Sequence, residues 1–191
     1  MYVVGFNGPP KSGKDSIAQA VRTMIDLESD IPTFTDSIIR PMREAVMSLA
    51  GHDPRDYSLY NQIKDQPQAA FNGDTIRHNM IQISENFMRK RYGKSCYVRT
   101  LIHANKVTVE NPGILFVPDI GFVEEIKEFT LAVGEIRFIN FHVHRPDYGW
   151  GHDSRRYCSG EAESIILHND STVMAAAEVV LDWIKTYGWL I

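Results

Sequence analysis

Residues 1–20, MYVVGFNGPPKSGKDSIAQA, decide the fold. Residues 2–6 form a short β-branched and aromatic run, the composition of a buried strand. GPPKSGK follows at 8–14, and Ile17, Ala18, Ala20, Val21, Met24 and Ile25 then recur at helical spacing. Strand, glycine-bounded loop, lysine and helix make the setting in which a phosphate-binding loop works. Gly8 and Gly13 let the chain curl so that backbone N–H groups turn inward, with Lys11 and Ser12 between them. The helix that follows adds its unpaired N–H groups and positive dipole end. Lys14 reaches the outer phosphates as a point charge.

The general loop pattern, G-x-x-x-x-G-K-[ST], puts a hydroxyl directly after the lysine to hold Mg²⁺. This chain has Asp15 there and Ser16 next, so both are candidate metal groups. The plain alternative is a Gly/Pro turn with a solvated Lys14. The order Gly, Lys, Ser, Gly, Lys between a strand and a helix argues against it.

The chain has 191 residues, enough for one domain with a sizeable core, and no linker or repeat divides it. Hydrophobic residues make up 43% and charged residues 23%, as in a soluble globular protein. A net charge of −4 provides no overall basic field for a nucleic acid polymer or an anionic membrane. A small anion therefore needs a local basic cleft. Cys96 and Cys158 form neither a disulfide framework nor a metal cluster, which fits a reducing cytoplasm. The first apolar run is too short for a signal segment, and no later stretch is long enough to span a bilayer.

Further along, residues 32–34 read as a short strand leading to Asp36. Residues 40–50 read as a helix with Met42, Ala45, Val46 and Leu49 inward. Residues 51–74 are loop with one short helix near 57–64, and a long irregular stretch of this kind is more often a functional lobe than idle loop. Residues 75–92 read as one helix, its core face carrying Ile76, Met80, Ile83 and Phe87, with Arg77, Ser84 and Arg91 on another face. Helices are expected at 97–105, 123–131 and 171–187, and strands at 114–117, 136–143 and 165–167. Residues 146–159 are loop. Alternating strands and helices imply an α/β three-layer sandwich with a mainly parallel sheet. Ligands in such sheets sit beyond the carboxyl ends of the strands, which puts residues 7–16, Asp36, Asp119 and Arg145 on one rim.

Asp119 ends an apolar strand, where a carboxylate holds Mg²⁺ through water or orients a phosphoryl acceptor. Read alone it is also readable as an ordinary turn aspartate, a reading that the phosphate loop beside it makes weaker. Phosphoryl transfer needs several cations converging on the moving group. The candidates are Arg43, Lys64, Arg77, Arg145, Arg155 and Arg156, each individually also readable as a surface charge. Arg155 and Arg156, in a mobile loop, are the best pair for a lid over ATP. Arg89, Lys90 and Arg91 near a helix C-terminus read as structural. His142 and His144 share a strand face without a third ligand at metal spacing. Tyr57, Tyr60 and Phe71 are candidate stacking residues or a small satellite core.

SGKDS at 12–16 resembles the S-G-K-D-[ST] loop of phage deoxynucleoside monophosphate kinases, a group related to animal-type phosphomevalonate kinases. In that family the aspartate after the lysine is the norm. RPMREAV at 40–46 is similar to the family's P-L-K-E-A-L segment, with Arg43 at the lysine that meets substrate phosphate. Residues 77–93 resemble its helix that begins with a substrate-binding arginine and carries a glutamine, here Gln82. Asp119, with Glu125 six positions on, is similar to its D-x-R-[FY]…E. Residues 141–146 resemble its strand ending in R-P. Asp153, Glu161 and the pair Asn169, Asp170 resemble its D…E…N-D pattern. Where the family has arginine two after the strand aspartate, this chain has Gly121, and another cation, such as Arg43, must take its place.

The resemblance implies a nucleoside-monophosphate-kinase-like fold, a single domain with a substrate lobe at about 51–96 and a lid at about 146–160. It implies transfer of the ATP γ-phosphoryl group to deoxynucleoside monophosphates with Mg²⁺, in a phage-infected cytoplasm. Lys14, Asp15, Arg77, Asp119, Arg155 and Arg156 are the expected catalytic groups, with Asp15, Ser16 and Asp119 serving the metal. Asp36, Arg43, Lys64, Arg77, Gln82, Arg145, Asp153 and Glu161 are expected at the substrate. Small nucleotides are the implied partners, and a homodimer is compatible with the sequence. Rival readings are a kinase for another small acceptor, of the phosphomevalonate or dephospho-CoA type, and a hydrolysing or regulatory nucleotide binder. The many arginines on separate segments favour a kinase.

Overall fold

The structure, a computed structural model, describes residues 1–151, 153, 155–160 and 163–190. Its strands are β1 (Tyr2–Asn7), β2 (Thr33–Thr35), β3 (Ile114–Val117), β4 (Phe138–His144) and β5 (Ser164–His168). The helices are α1 (Lys14–Glu28), α2 (Arg40–Leu49), α3 (Tyr57–Ile63), α4 (Ile76–Ile83), α5 (Arg89–Tyr92), α6 (Cys96–Ala104), α7 (Val123–Val133) and α8 (Val173–Thr186). The chain divides into two compact units, Met1–Ile38 with Val98–Ile191, and Ile39–Tyr97.

The first unit is built on one parallel sheet of order β2-β3-β1-β4-β5. Each central strand is buried on both faces, which is why β3 reads as four consecutive apolar residues. One face packs Val4, Phe6, Phe116, Phe141, Val143 and Leu167 against Ile17, Val21 and Ile25 of α1 and Ala177, Val180 and Ile184 of α8. Phe6 and Phe141 stack at 5.8 Å. The other face carries α7, whose Phe129 stacks on Phe138 at 5.7 Å. A fully buried phenylalanine contributes about 2–3 kcal/mol, so these strands are pinned in register by their core face. Thr172 caps α8, its Oγ1 accepting from Ala175 N at 3.1 Å. Because all strands are parallel, Gly8, Asp36, Asp119 and Arg145 each follow the carboxyl end of a strand, on the rim expected from the sequence.

The second unit holds α2 through α5 and begins before the lobe expected from the sequence. In α2, Met42, Val46 and Met47 are buried, whereas Ala45 and Leu49, expected inward, are exposed. The helix expected over 75–92 is interrupted by a π-helical turn, Ser84–Met88. The extra residue in that turn rotates everything after it. Ile76, Met80 and Ser84 are buried, and Phe87, expected in the core, is 55% exposed and meets Tyr92 edge-on.

Candidate active site

β1 delivers the chain to Gly8, where an added Cβ would stand 2.7 Å from the carbonyl oxygen of Val143. Only glycine fits so close to a neighbouring strand. The loop then turns through Lys11 at φ 64° and Gly13 at φ 98°, both left-handed. A side chain at Gly13 would also meet Asn169 Nδ2 at 2.4 Å. That amide is buried and donates to the Ser12 carbonyl at 2.8 Å, so the β5–α8 connection holds the loop's curl. Gly13 provides no side-chain cap, and the first N–H groups of α1 are left to an anion. Asp15 and Ser16 lie exposed in that first turn.

Lys14 is buried, and its Nζ donates to the carbonyls of Gly8 and Pro9, both at 2.7 Å, and to Ser12 Oγ at 3.3 Å. Burial, and after it the Arg155 charge, pulls the ammonium down to about 8. Asp15, Asp119 and Asp153 act in the opposite direction. Asp119 accepts from Ile38 N at 2.9 Å through Oδ1 and from Ser37 Oγ at 2.7 Å through Oδ2. Asp36 accepts from Ser37 N at 2.8 Å and from Asn105 Nδ2 at 2.7 Å. The Asp36–Ser37–Asp119 chain thus ties the ends of β2 and β3 together.

Part of the loop expected to form a lid is bound to the sheet. The Cys158 amide donates to Asn7 Oδ1 at 2.9 Å, and the Cys158 carbonyl accepts from Asn140 Nδ2 at 3.1 Å and His142 Nε2 at 2.8 Å. Asn7 Nδ2 also donates to the carbonyls of Ile120 and Arg156, at 2.8 and 3.2 Å. Tyr157 stacks on His144 at 4.2 Å and donates to Val143 O at 3.1 Å. Burial, and after it Glu125 and Glu124, pushes the Cys158 thiol up to about 12, so it is an inert packing group.

Arg155 Nε and Nη2 donate to the two carboxylate oxygens of Asp153, at 2.9 and 2.7 Å. Burial would raise the Asp153 carboxyl, but the hydrogen bonds and charge of Arg155 outweigh it and hold it below the usual carboxylate range. The Arg155 stem runs across Gly121, whose missing Cβ would lie 2.4 Å from Arg155 Cδ. The cation lying over the glycine is therefore Arg155. Glu125 turns back to accept from Gly121 N at 2.8 Å and Phe122 N at 3.1 Å, capping α7 and fixing that turn. Arg156 is exposed, its Nη1 2.5 Å from the carbonyls of Asp153 and Arg155. Arg145 donates to Lys11 O at 3.0 Å and lies over the Tyr148 ring.

Within the second unit, two of the expected cations converge on one tyrosine pair. Arg43 Cζ lies 4.7 Å from the Tyr57 ring centroid and 5.7 Å from that of Tyr60, and Lys64 Nζ is 5.3 Å from Tyr60. Arg77 forks onto Asp65 at 2.5 and 3.1 Å, and its amide donates to Lys64 O. Burial pushes the Tyr60 phenol up, against the charge of Arg77. Gln82 is exposed and accepts from Asn86 one turn on. Glu161 lies outside the described residues.

Sequence reasoning missed Asn140, Asn105 and Asp65, and had Asn7 only as a rim residue. Their signal is weak: a lone asparagine inside an apolar strand, as in FINFHVH, marks a buried polar partner only once the fold is known. Among the described residues no group of three His, Cys, Asp or Glu side chains is placed to hold a metal ion. No helix among them is long and apolar enough to cross a membrane.

No family model matches the chain, and no curated protein does. Solved structures do. APS kinase of Mycobacterium tuberculosis in complex with AMPPNP and APS is similar at a TM-score of 0.56 and 16% identity, over 96% of this chain and 97% of that one. A hexameric APS kinase from Thiobacillus denitrificans is similar at a TM-score of 0.51 and 14% identity, over 99% of this chain but 29% of that one. The fold is thus a parallel α/β fold similar to that of the APS kinases, with a glycine-bounded loop at the carboxyl end of its central strand.

Proposed function

We propose that the protein transfers the γ-phosphoryl group of ATP to a deoxynucleoside 5′-monophosphate, giving the diphosphate and ADP. The observation that carries this reading is Lys14, a buried ammonium held by the carbonyls of its own glycine-bounded loop at the uncapped start of α1. The APS kinase bound to AMPPNP and APS supports a nucleoside triphosphate as donor and a small nucleotide as acceptor.

The unpaired N–H groups of the loop and of the first turn of α1, together with Lys14, bind the β- and γ-phosphates, and Lys11 adds charge at the rim. Arg155 neutralises the charge that develops on the moving group, and Arg156 and Arg145 flank it. Arg43, Lys64 and Arg77 take the acceptor's phosphate, for which arginine's planar fork is suited. Asp36 and Gln82 contact the acceptor. Asp119 orients the acceptor or a metal-bound water. The donor set fits Mg²⁺: Asp15, Ser16 and Asp119 are hard oxygen ligands, and this ion takes one or two protein groups, keeping water and phosphate for the rest. When bound, the ion draws negative charge from the transferring phosphoryl group. No covalent enzyme intermediate is required, because positioning and charge neutralisation are the protein's contribution.

Coupled release of ADP, measured with each deoxynucleoside monophosphate, tests the reading. Turnover with at least one of them is expected. Turnover only with APS, phosphomevalonate or dephospho-CoA would keep the phosphotransferase and replace the acceptor. Slow hydrolysis that no acceptor stimulates would overturn the kinase.

A further inference from the structure

Three observations converge on Gly121. It is buried, two residues beyond Asp119, and a Cβ there would stand 2.4 Å from Arg155 Cδ and 2.9 Å from Arg155 Cγ. Its φ lies outside the left-handed region, so the backbone does not demand glycine. The need is space for one side chain. Secondly, the segment that carries Arg155 is clamped at Cys158 by three side chains from the two central strands β1 and β4, those of Asn7, Asn140 and His142. Asn7 and Asn140 are fully buried, so this clamp belongs to the interior. Thirdly, the guanidinium is aimed by Asp153, which accepts from Nε and Nη2 and leaves Nη1 for another acceptor. Arg155 and Lys14 are near enough to act on each other electrostatically.

We propose that Gly121 is a positioning residue: by lacking a side chain it lets Arg155 cross it, and the clamp at Cys158 holds this arginine at the phosphate loop as a built-in element of the site. Two cations held beside one loop repel each other until a polyanion lies between them. A triphosphate does so without any closing movement of this segment, so no ordering cost falls on the step that brings the arginine in. A lid-borne arginine would need no such vacancy and no such clamp. The inference rests on the phosphoryl-transfer reading for its consequence, but the placement can be tested without it.

Gly121→Ala adds one methyl group without changing charge or straining the backbone. It pushes on Arg155, whose side chain supplies the three atoms nearest the missing Cβ. Turnover falls about 10–100-fold, the cost of misplacing a catalytic group by an ångström or so, with KM for ATP changed little. In an Arg155→Ala background the same change has no further effect, since Gly121 acts only through that side chain. An acceptor-independent readout is the Arg155 Nε–H resonance by ¹⁵N NMR in the protein without nucleotide, assigned by its disappearance in Arg155→Ala. Bonded to Asp153, it exchanges slowly in the unaltered protein, and in Gly121→Ala it shifts and exchanges faster as the arginine stem is pushed aside. Additive losses in the double variant, or an Nε–H signal unchanged by Gly121→Ala, overturn the proposal. If no acceptor supports turnover, the kinase reading falls while the Nε–H signal still decides the role of Gly121.

Discussion

Lys14 is the residue at which sequence, burial and chemistry meet. Its ammonium is held away from water, and keeping it charged at neutral pH costs about 3 kcal/mol relative to solvent. An ATP phosphate beside it favours the charged form and reverses that shift. Above about pH 8 the free protein has lost part of this proton, and the ATP complex regains it. ATP binding at about pH 8.5 therefore takes up a fraction of a proton, measured by calorimetry in two buffers of different ionisation enthalpy. Lys14→Arg, charged at all these pH values, binds with no such uptake. The neighbouring pair, Asp15 and Ser16, separates in a Mg²⁺ titration. Asp15→Asn weakens metal dependence and turnover by about tenfold or more with a small effect on ATP affinity, and Ser16→Ala is the milder change. The reverse order returns the metal to the hydroxyl.

At the scale of elements, the segment 155–158 behaves as part of the sheet. The Cys158 amide is buried and bonded to Asn7, whereas the turn at 147–151 is exposed over most of its length. Hydrogen exchange is expected to protect the Cys158 amide like those of β4 and to leave residues 147–149 fast. Equal, fast exchange across 147–158 would mean that the whole segment opens. Asn7→Ser, which cannot span the three partners of the asparagine, speeds exchange at Cys158. The π-helical turn at Ser84–Met88 is the other element-scale finding. Helical periodicity put Phe87 in the core, and the residue inserted by the turn that starts at Ser84 turns Phe87 out.

For the molecule as a whole, the division into two units gives the proposed kinase a separable pattern of defects. Arg43→Ala and Arg77→Ala, in Ile39–Tyr97, raise KM for the acceptor by about tenfold or more each and leave ATP affinity near its original value. Steady-state kinetics with each substrate varied in turn checks this. Loss of ATP affinity in either variant would assign these arginines to the donor instead. Parallel strand order also explains why four residues far apart in sequence, Gly8, Asp36, Asp119 and Arg145, come to one rim. Each follows a strand, and every strand points the same way.

Local sequence was sufficient for the glycine-bounded loop, for the buried strands and for most helices, because glycine punctuation and apolar periodicity act over a few residues. It was sufficient too for the rim, since a parallel sheet aligns strand ends once the strands are recognised. Only the tertiary structure decided which polar groups pair: Asn7 and Asn140 with Cys158, Asn169 with Ser12, Arg155 with Asp153 across Gly121. Asn7 and Cys158 are 151 positions apart and Ser12 and Asn169 157, and a buried hydrogen bond depends on a distance in space that no spacing in the chain encodes. The glycine that read as a missing arginine proved to be the space through which another arginine passes.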